Sequence, residues 1–428
     1  MSKKTPLHPW HLSRNAKMAE FGGYQMPLWY SSVKQEHLTV LKGAGLFDTS
    51  HMAVVTVHGS DARKLLQLCF TQDLDACIGP GRRPLPPGRC TYGAFLDEAG
   101  SVIDDAIVFE LRSDRYMVVV NAGMGGDIAD HLNSRSDGLA ATIEDLTDAV
   151  GKIDLQGPSS GIILRRILPR PEAVFDAMVY FSFRGTLAPG KEDAEAIELS
   201  DGSPILLSRT GYTGEFGFEI FLPPDRVEPV WEMLLAAGEP EGLIPCGLAA
   251  RDSLRAGAVL PLSHQDIGPW PFIRNPWEFA LPFRPDRSGY TKSFVGRRAL
   301  EDAADAPYTY PFVGEDLRKV SIAEPAKVFD ADGNDLGVVL TCATDVGIGR
   351  AQGRIFSVAS PDAPGPFDPR GLSCGFVRVA TPLTPGDAVH LKDNRRSIRA
   401  TIVSDIRPDR TARRPIETMI PEPEEVTS

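Results

Sequence analysis

Two stretches of the sequence place acidic side chains where a folded chain would have to bury them or present them to a ligand. Glu219 stands between Phe218 and Ile220 in RTGYTGEFGFEI, whose last residues alternate glycine and bulk as a strand does. Asp104 and Asp105 stand together in VIDDAIV, between apolar residues. Because neighbouring strand residues point to opposite faces, one of these two acids is expected to face the interior. A carboxylate in such a place can accept paired N–H donors or hold a proton.

A third stretch, CGLAARDSLRAG, predicts a helix entered after Gly247, with Arg251 and Arg255 one turn apart on the same face. Each of the three patterns is also compatible with a structural role. Glu219 could face solvent on its strand, the two aspartates could cap backbone N–H groups in a bulge or turn, and the arginines could lie on a solvated helix face. The patterns alone leave these alternatives open.

The elements around these residues mix helices with antiparallel strands. CTYGAFLDEAGSVIDDAIVFEL predicts a hairpin with a turn at Asp-Glu-Ala-Gly, and RYMVVVNA continues its sheet. AVVTVHG predicts a strand that ends at Gly59, and DARKLLQLCF predicts a helix. Residues 1–300 therefore favour the α+β class over a doubly wound sheet.

The composition changes after residue 300. Residues 301–316 are predicted to be a linker, and residues 317–415 contain short β-like runs between Gly, Pro and Asp turns, which is typical of a small barrel or sandwich. A proline-rich insertion near residues 357–373 is predicted to be a loop, and residues 416–428 a disordered tail. A length of 428 residues agrees with two or three domains.

Charge and composition exclude several classes of protein. The net charge of -12 at pH 7 argues against nucleic acid as the main partner, because phosphate binding needs a basic face. The sequence has no run of about 18 apolar residues and no signal-like N-terminus, so we expect a cytoplasmic protein without a membrane span. The six scattered cysteines contain no C-x-x-C pair, so we expect reduced thiols and no metal site.

Several segments resemble the T-protein of the glycine cleavage system, the tetrahydrofolate-dependent aminomethyltransferase family. They occur in the family's order over residues 20 to 300, with a weaker match from 317 to 415. The resemblance implies three domains arranged as a cloverleaf, with folate in a central channel and a small C-terminal β-barrel. The matching segments are FGGYQMPLWY, GLFDTSHM, GSVIDDAIVFEL, VVVNA, LQGPSS, SRTGYTGEFGFEI, GLAARDSLRAGAVL, NPWEFAL and FVGRRAL.

The resemblance also implies roles for individual residues. Glu219 matches the glutamate that accepts the two adjacent N–H donors of a pterin ring. Asp105 matches the catalytic aspartate, which would orient folate, relay a proton and stabilise positive charge on the one-carbon unit, whereas Asp104 is expected to be structural. Arg251 matches an arginine that suits the carboxylates of the folate tail. The other folate-binding candidates are Asn121, Tyr92, Tyr212, Met52 and His51.

The function that the resemblance implies is transfer of the one-carbon unit from the aminomethyl-lipoyl arm of H-protein to tetrahydrofolate, with release of ammonia. Two alternatives remain: a tetrahydrofolate-dependent demethylase of a small O- or S-methyl donor, and a non-catalytic folate-binding paralogue. The paralogue group carries a K-G-C-Y-x-G-Q-E signature, and this chain lacks that cysteine. Tetrahydrofolate and lipoylated H-protein are thus the expected co-substrate and partner.

This chain departs from the family pattern at a few positions. The family's R-L-E-A-G is here Arg255-Ala256-Gly257-Ala258, so glycine replaces an acidic residue. The family's L-Y-G-x-D is here Leu262-Ser263-His264-Gln265-Asp266, which removes a tyrosine and introduces a histidine. An expected tryptophan is Phe283. The first two changes are expected close to the part of the channel that receives the one-carbon donor. They leave the identity of that donor open.

Overall fold

The computed structural model describes residues 2–176, 178–187, 196–365 and 367–420. The chain forms two compact units, each assembled from segments that are distant in sequence. The first unit comprises Met1–His51, Asp148–Arg251 and Asp409–Ser428, and the second comprises Met52–Thr147 and Asp252–Pro408. The chain passes from the first to the second within the helix Leu248–Gly257.

A mainly antiparallel sheet of seven described strands is the centre of the first unit. One face of the sheet is apolar, because Ile153 and Leu155 of one strand and Phe218 and Ile220 of its neighbour are fully buried in a single core. In sheet order the strands are Phe183–Gly185, Pro204–Ser208 (which also pairs with Ile197–Glu198), Gly217–Leu222, Gly151–Gln156, Gly45–Asp48 and Ile244–Pro245.

Helices and a small sheet complete the first unit. The three strands Lys3–Lys4, Tyr24–Trp29 and Lys17–Phe21 pair in that order. The α-helices are His8–Ser13, Val33–Lys42, Ser160–Ile167, Pro171–Phe175, Val227–Gly238 and Ile416–Met419, and the 3-10 helices are Pro224–Arg226 and Glu239–Glu241. A further 3-10 helix, Thr147–Ala149, contains the point in the sequence at which the chain returns from the second unit to the first.

The second unit contains the predicted hairpin in a five-stranded antiparallel sheet. Its order is Arg89–Leu96, Val102–Arg112, Arg115–Val120, Ala53–His58 and Thr142–Asp145. The helices of this unit are Ala62–Cys69, Gly125–Asn133 and Arg297–Glu301, and Glu278–Ala280 is a 3-10 helix. The strands and the helix predicted for residues 53–120 are thus confirmed. They could be predicted because each of these segments has a clear apolar periodicity and a glycine or a turn at its end.

A closed six-stranded barrel forms the rest of the second unit, which confirms the small barrel predicted for the C-terminal region. The α+β class is confirmed as well, since helices and antiparallel sheets occur together in both units. The barrel order is Tyr308–Gly314, Leu372–Val379, Asp335–Asp345, Lys327–Phe329, Ala388–Lys392 and Ser397–Ile402, and a separate hairpin joins Ile348–Ala351 to Arg354–Ser357.

Two predictions at the edges of this region need correction. The predicted linker, residues 301–316, contains the first barrel strand, Tyr308–Gly314, which pairs on both sides. Pro311 hides this strand in the sequence, because a proline cannot donate to a ladder and argues against an inner strand. In the predicted tail, Ile416–Met419 is a short helix, and Ile416 and Ile420 are buried in the core of the first unit. The remaining tail residues, 421–428, lie outside the described residues.

The cysteines and the lengths of the helices bear on two expectations that were drawn from the composition. All six cysteines, which lie in the described part of the chain, are free thiols. None of the helices among the described residues is long and apolar enough to cross a bilayer.

At position 257 this chain has glycine where the family pattern has an acidic residue, and a carboxylate from a barrel strand occupies the space beside this glycine. A side-chain Cβ at Gly257 would lie 1.9 Å from Oδ2 of Asp345, the last residue of a barrel strand. Asp345 is fully buried and accepts a hydrogen bond of 2.6 Å from Arg407 Nη1. The glycine therefore does not remove negative charge from this part of the unit, because the carboxylate of Asp345 stands beside it.

We expect Gly257→Ala to destabilise the protein by about 1–3 kcal/mol, since an added methyl group must push apart a buried ion pair. The free energy of unfolding from urea denaturation measures this loss. Gly126→Ala is the matched control, because Gly126 is also in a helix and its added Cβ would meet no atom within 4 Å. Equal stability of the two variants would show that the ion pair of Asp345 and Arg407 does not fill the space at Gly257.

Candidate functional site

Glu219 belongs to a buried network of charged side chains in the first unit. Glu219 and Asp154 lie directly opposite each other on neighbouring antiparallel strands, and Ser208 lies opposite Glu219 on the other side. Two like charges in facing positions repel each other. Lys152, two residues before Asp154 and hence on the same face, donates from Nζ to both carboxylates. Glu219 is only 6% exposed, so the alternative of a solvent-facing strand glutamate is wrong.

Both carboxylates of this network accept further hydrogen bonds. Thr210 Oγ1 donates to Oε2 of Glu219. Asp154 accepts from Thr49 Oγ1 at 2.7 Å and from Arg251 Nη1 at 2.8 Å. Burial alone would raise the pKa of Asp154, but the charges of Lys152 and Arg251 hold it below its usual value. Asp154 is therefore ionised at neutral pH.

Arg251 is a buried member of this network and does not lie on a solvated helix face. It is 9% exposed, and its guanidinium carbon lies 4.8 Å from the centre of the Tyr212 ring. The next arginine on the helix, Arg255, is fully buried and pairs with Asp252 and Asp266 of the second unit. The two arginines thus have separate partners, although they share a helix.

The glycines before Glu219 make room for one glutamine. A Cβ at Gly211 would lie 2.1 Å from Gln156 Oε1, and a Cβ at Gly217 would lie 2.6 Å from the same atom. Gln156 in turn donates to the carbonyl oxygens of Thr210 and Phe218 at 3.2 and 3.1 Å. Gly214, at φ +77°, closes the turn. The turn therefore fixes the segment that carries Glu219 and Thr210.

His51, the last residue of the first segment of the same unit, has an unsatisfied ring nitrogen. It is 2% exposed, and its buried Nδ1 has no hydrogen-bond partner among the described residues. Burial, followed by the charge of Arg251, lowers the pKa of His51 to about 4, so the ring is neutral at pH 7. A buried polar atom without a partner is rare and is a place where a ligand atom or water can bind. Met52 follows as the half-buried first residue of the second unit.

The second cluster of candidate residues lies around Asp104 and Asp105 in the second unit. Nδ2 of Asn121 donates to Oδ1 of both aspartates, at 2.8 and 2.7 Å. Asp105 also accepts from the Tyr92 hydroxyl at 2.9 Å. Asp104 is fully buried and accepts from the backbone N–H of Asn121 and from Ser263 Oγ, both at 2.8 Å. The structure thus brings three of the predicted residues, Tyr92, Asp105 and Asn121, into direct contact.

The strand geometry explains how two adjacent acids reach one amide. The pairing with the neighbouring strand shifts between Phe95 and Leu96, so that Ile103 has no residue opposite it. Such a bulge re-aims the side chains beside it. The structural alternative for the two acids is therefore right in part, because a bulge adjoins them and Asp104 accepts a backbone N–H.

Burial raises the pKa of both aspartates above their usual values. For Asp104, burial and then the neighbouring charge of Asp105 raise the pKa to about 7. For Asp105, burial is the main cause, and the hydrogen bonds from Tyr92 and Asn121 oppose it. The two acids titrate as a pair, and near neutral pH the pair can hold a proton or release it. A pair of this kind suits acid–base chemistry.

Sequence reasoning missed Lys152, Asp154 and Thr49, although one signal pointed to two of them. The segment GKIDLQ alternates polar residues with Ile153 and Leu155, as a strand with one polar face does. Ser263 was noted only as a departure, and its contact with Asp104 joins positions 159 residues apart. No local pattern could have revealed that contact.

Comparisons with known proteins assign the chain to a family. The family model described as the GCVT N-terminal domain matches residues 7–281. An aminomethyltransferase of Streptomyces coelicolor is 34% identical over 388 residues, which cover 89% of this chain and 97% of that protein. One of Symbiobacterium thermophilum is 36% identical over 343 residues, covering 79% and 85%.

A solved structure agrees with the sequence comparisons. The glycine cleavage system aminomethyltransferase T of Bartonella henselae matches with a TM-score of 0.74 and 27% identity, over 97% of this chain and 99% of that one. The fold is that of a one-carbon transferase of the glycine cleavage type. The chain belongs to the GCVT aminomethyltransferase family, which confirms the resemblance seen in the sequence.

Proposed function

We propose that this protein transfers a one-carbon unit from the aminomethyl-lipoyl arm of H-protein to tetrahydrofolate, with release of ammonia. The observation that carries the proposal is the acid pair of Asp104 and Asp105, held by a single amide of Asn121 in the second unit. A carboxylate placed in this way can stabilise a carbon that becomes positively charged as an amine leaves. The names and coverage of the relatives support the same reaction.

The residues of the first unit fit a folate. Lys152 and Thr210 each use one acceptor site of the Glu219 carboxylate, and each carboxylate oxygen offers about two sites. Glu219 can therefore still accept a pair of ligand N–H groups. The Tyr212 ring offers an apolar surface beside Arg251, and His51 Nδ1 offers an unsatisfied polar atom. When bound, tetrahydrofolate supplies the nucleophilic nitrogens that receive the one-carbon unit.

The chemistry of each side chain indicates its role in the proposed reaction. Lys152 bridges the facing carboxylates of Asp154 and Glu219 and fixes both for ligand binding. Arg251 is already paired with Asp154, so we propose that it packs against Tyr212 and supports the pterin site, which differs from the expected contact with the folate tail. Tyr92 and Asn121 orient Asp105, which holds or moves a proton at its Oδ atoms.

The donor is tested by measuring ammonia. Purified protein is mixed with tetrahydrofolate and aminomethylated, lipoylated H-protein, and a parallel reaction contains small O- and S-methyl compounds. We expect ammonia release with the H-protein substrate well above that of the Asp105→Asn variant, which serves as the blank. No excess over the blank, together with methyl-tetrahydrofolate from a methyl donor, would show that the protein is a demethylase.

A further inference from the structure

A tightly fixed turn, residues 262–266 of the second unit, presents a histidine to the acid pair. Asp266 is fully buried and anchors the turn through its carboxylate. It accepts from Arg255 Nη1, from Thr341 Oγ1 at 2.7 Å and from the backbone N–H of Leu262 at 3.0 Å. Because a buried and fully bonded carboxylate holds both ends of the turn, the residues between them have little freedom.

The backbone at His264 is strained. Its φ of +63° is in the left-handed region, which costs a residue other than glycine roughly 1–2 kcal/mol. Glycine would adopt this conformation without the penalty. Eight other described residues besides glycine have positive φ, so the conformation by itself does not mark a functional site, and the inference depends on the contacts of the side chain.

The side chain of His264 spans from solvent to the acid pair. Its Nε2 lies 3.8 Å from Oδ1 of Asp104, the oxygen that also accepts from Ser263. The imidazole is 51% exposed, whereas Asp104 is fully buried. A shift of about 1 Å would bring the ring within hydrogen-bond distance of the carboxylate. His264 is therefore a half-exposed titratable group beside a carboxyl group that is itself shielded from water.

We infer that His264 passes protons between solvent and the acid pair. Oδ1 of Asp104 accepts from both Asn121 and Ser263, so the Ser263 hydroxyl must first turn away from it. In one direction the Nε2–H bond of the protonated ring then breaks, the proton bonds to the acceptor site that Ser263 has left, and the neutral ring takes a proton from solvent. The reverse sequence removes a proton from Asp104. Asn121 links Asp104 to Asp105, so each change of charge on Asp104 acts on the proposed catalytic carboxylate.

This inference rests on the proposed function, because it takes Asp105 as the catalytic acid. His264 acts through Asp104 and is a positioning and proton-transfer residue. Its imidazole has two ring nitrogens, one of which can donate a proton while the other accepts one.

The first test is His264→Gly, which removes the ring and relieves the backbone strain. We expect turnover to fall roughly 10- to 100-fold, the KM for tetrahydrofolate to change less than about twofold, and added imidazole to restore part of the lost turnover. Rescue by free imidazole is a result that a merely structural role would not give. An unchanged turnover, or a loss that imidazole does not restore, would overturn the inference.

Gln352→Gly is the matched control for the relief of strain. Gln352 is exposed and has φ +50° in the hairpin between Ile348–Ala351 and Arg354–Ser357. Both glycine variants should melt at or above the temperature of the wild type, and only the His264 variant should lose turnover. Equal turnover losses in the two variants would attribute the effect to strain and contradict proton transfer.

A second test does not depend on turnover. Diethylpyrocarbonate modifies accessible histidines, and mass spectrometry can follow His264 against the exposed His390 in the same chain. We expect Asp104→Asn to raise the modification rate of His264 relative to His390 by at least about twofold, because the ring loses its charged neighbour. An unchanged ratio would show that the two side chains do not interact. If the wild type released no ammonia, the proposed function would be wrong. The ratio of modification rates would still show whether His264 and Asp104 interact.

Discussion

Asp105→Asn is expected to lower turnover by roughly 10²- to 10⁴-fold, the range of a lost acid–base group, while tetrahydrofolate binding weakens far less. Asparagine keeps the shape of the side chain and can still accept from Asn121 Nδ2, which now donates to Asp105 at 2.7 Å. It cannot take up a proton or carry negative charge. The substitution should therefore destabilise the transition state and leave the binding of tetrahydrofolate in the ground state nearly unchanged.

Single-turnover ammonia release and calorimetry of tetrahydrofolate binding separate these two effects. Asp104→Asn is the comparison, and we expect a smaller loss of turnover from it, because Asp104 acts on the reaction through Asn121. Equal losses of turnover and affinity for Asp105→Asn would assign that residue to binding. A larger loss for Asp104→Asn than for Asp105→Asn would exchange the roles of the two acids.

Glu219→Gln is expected to weaken tetrahydrofolate binding by roughly 10- to 100-fold, which corresponds to about 1.5–3 kcal/mol for hydrogen bonds to a charged group. The amide has one acceptor oxygen in place of two, and its NH₂ group would oppose either a ligand N–H or the Lys152 ammonium. Lys152 would still have Asp154 as a partner, so the network would lose only one of its ion pairs.

Calorimetry on the folded variant measures the loss of affinity, and Glu215→Gln is the matched control. Glu215 lies four residues earlier, is 3% exposed and accepts from Thr411 Oγ1 at 2.6 Å, as Glu219 accepts from Thr210. We expect the control to change stability without changing folate affinity. Similar affinity losses in both variants would mean that Glu219 acts through folding of the segment and not through a direct contact.

The sequence determined the local elements and supplied the candidates for several site residues. The hairpin that carries Asp104 and Asp105 and the strand that carries Glu219 follow from a period of two in apolar residues and from turn residues at their ends. Alternation also predicted that Phe218 and Ile220 share a face, and both are fully buried in one core. Local patterns of this kind survive folding because burial of an apolar face dominates the stability of each element.

Only the tertiary structure decided which charged groups meet. The pairing register sets Asp154 opposite Glu219 and makes Lys152 necessary between them, and no local signal specifies that register. The carboxylate of Asp345 fills the space at Gly257 from a strand almost 90 residues away. His264 reaches Asp104 across a separation of 160 positions. Contacts of this range depend on how complete elements pack together, and the periodicity of a single segment holds no information about its partner.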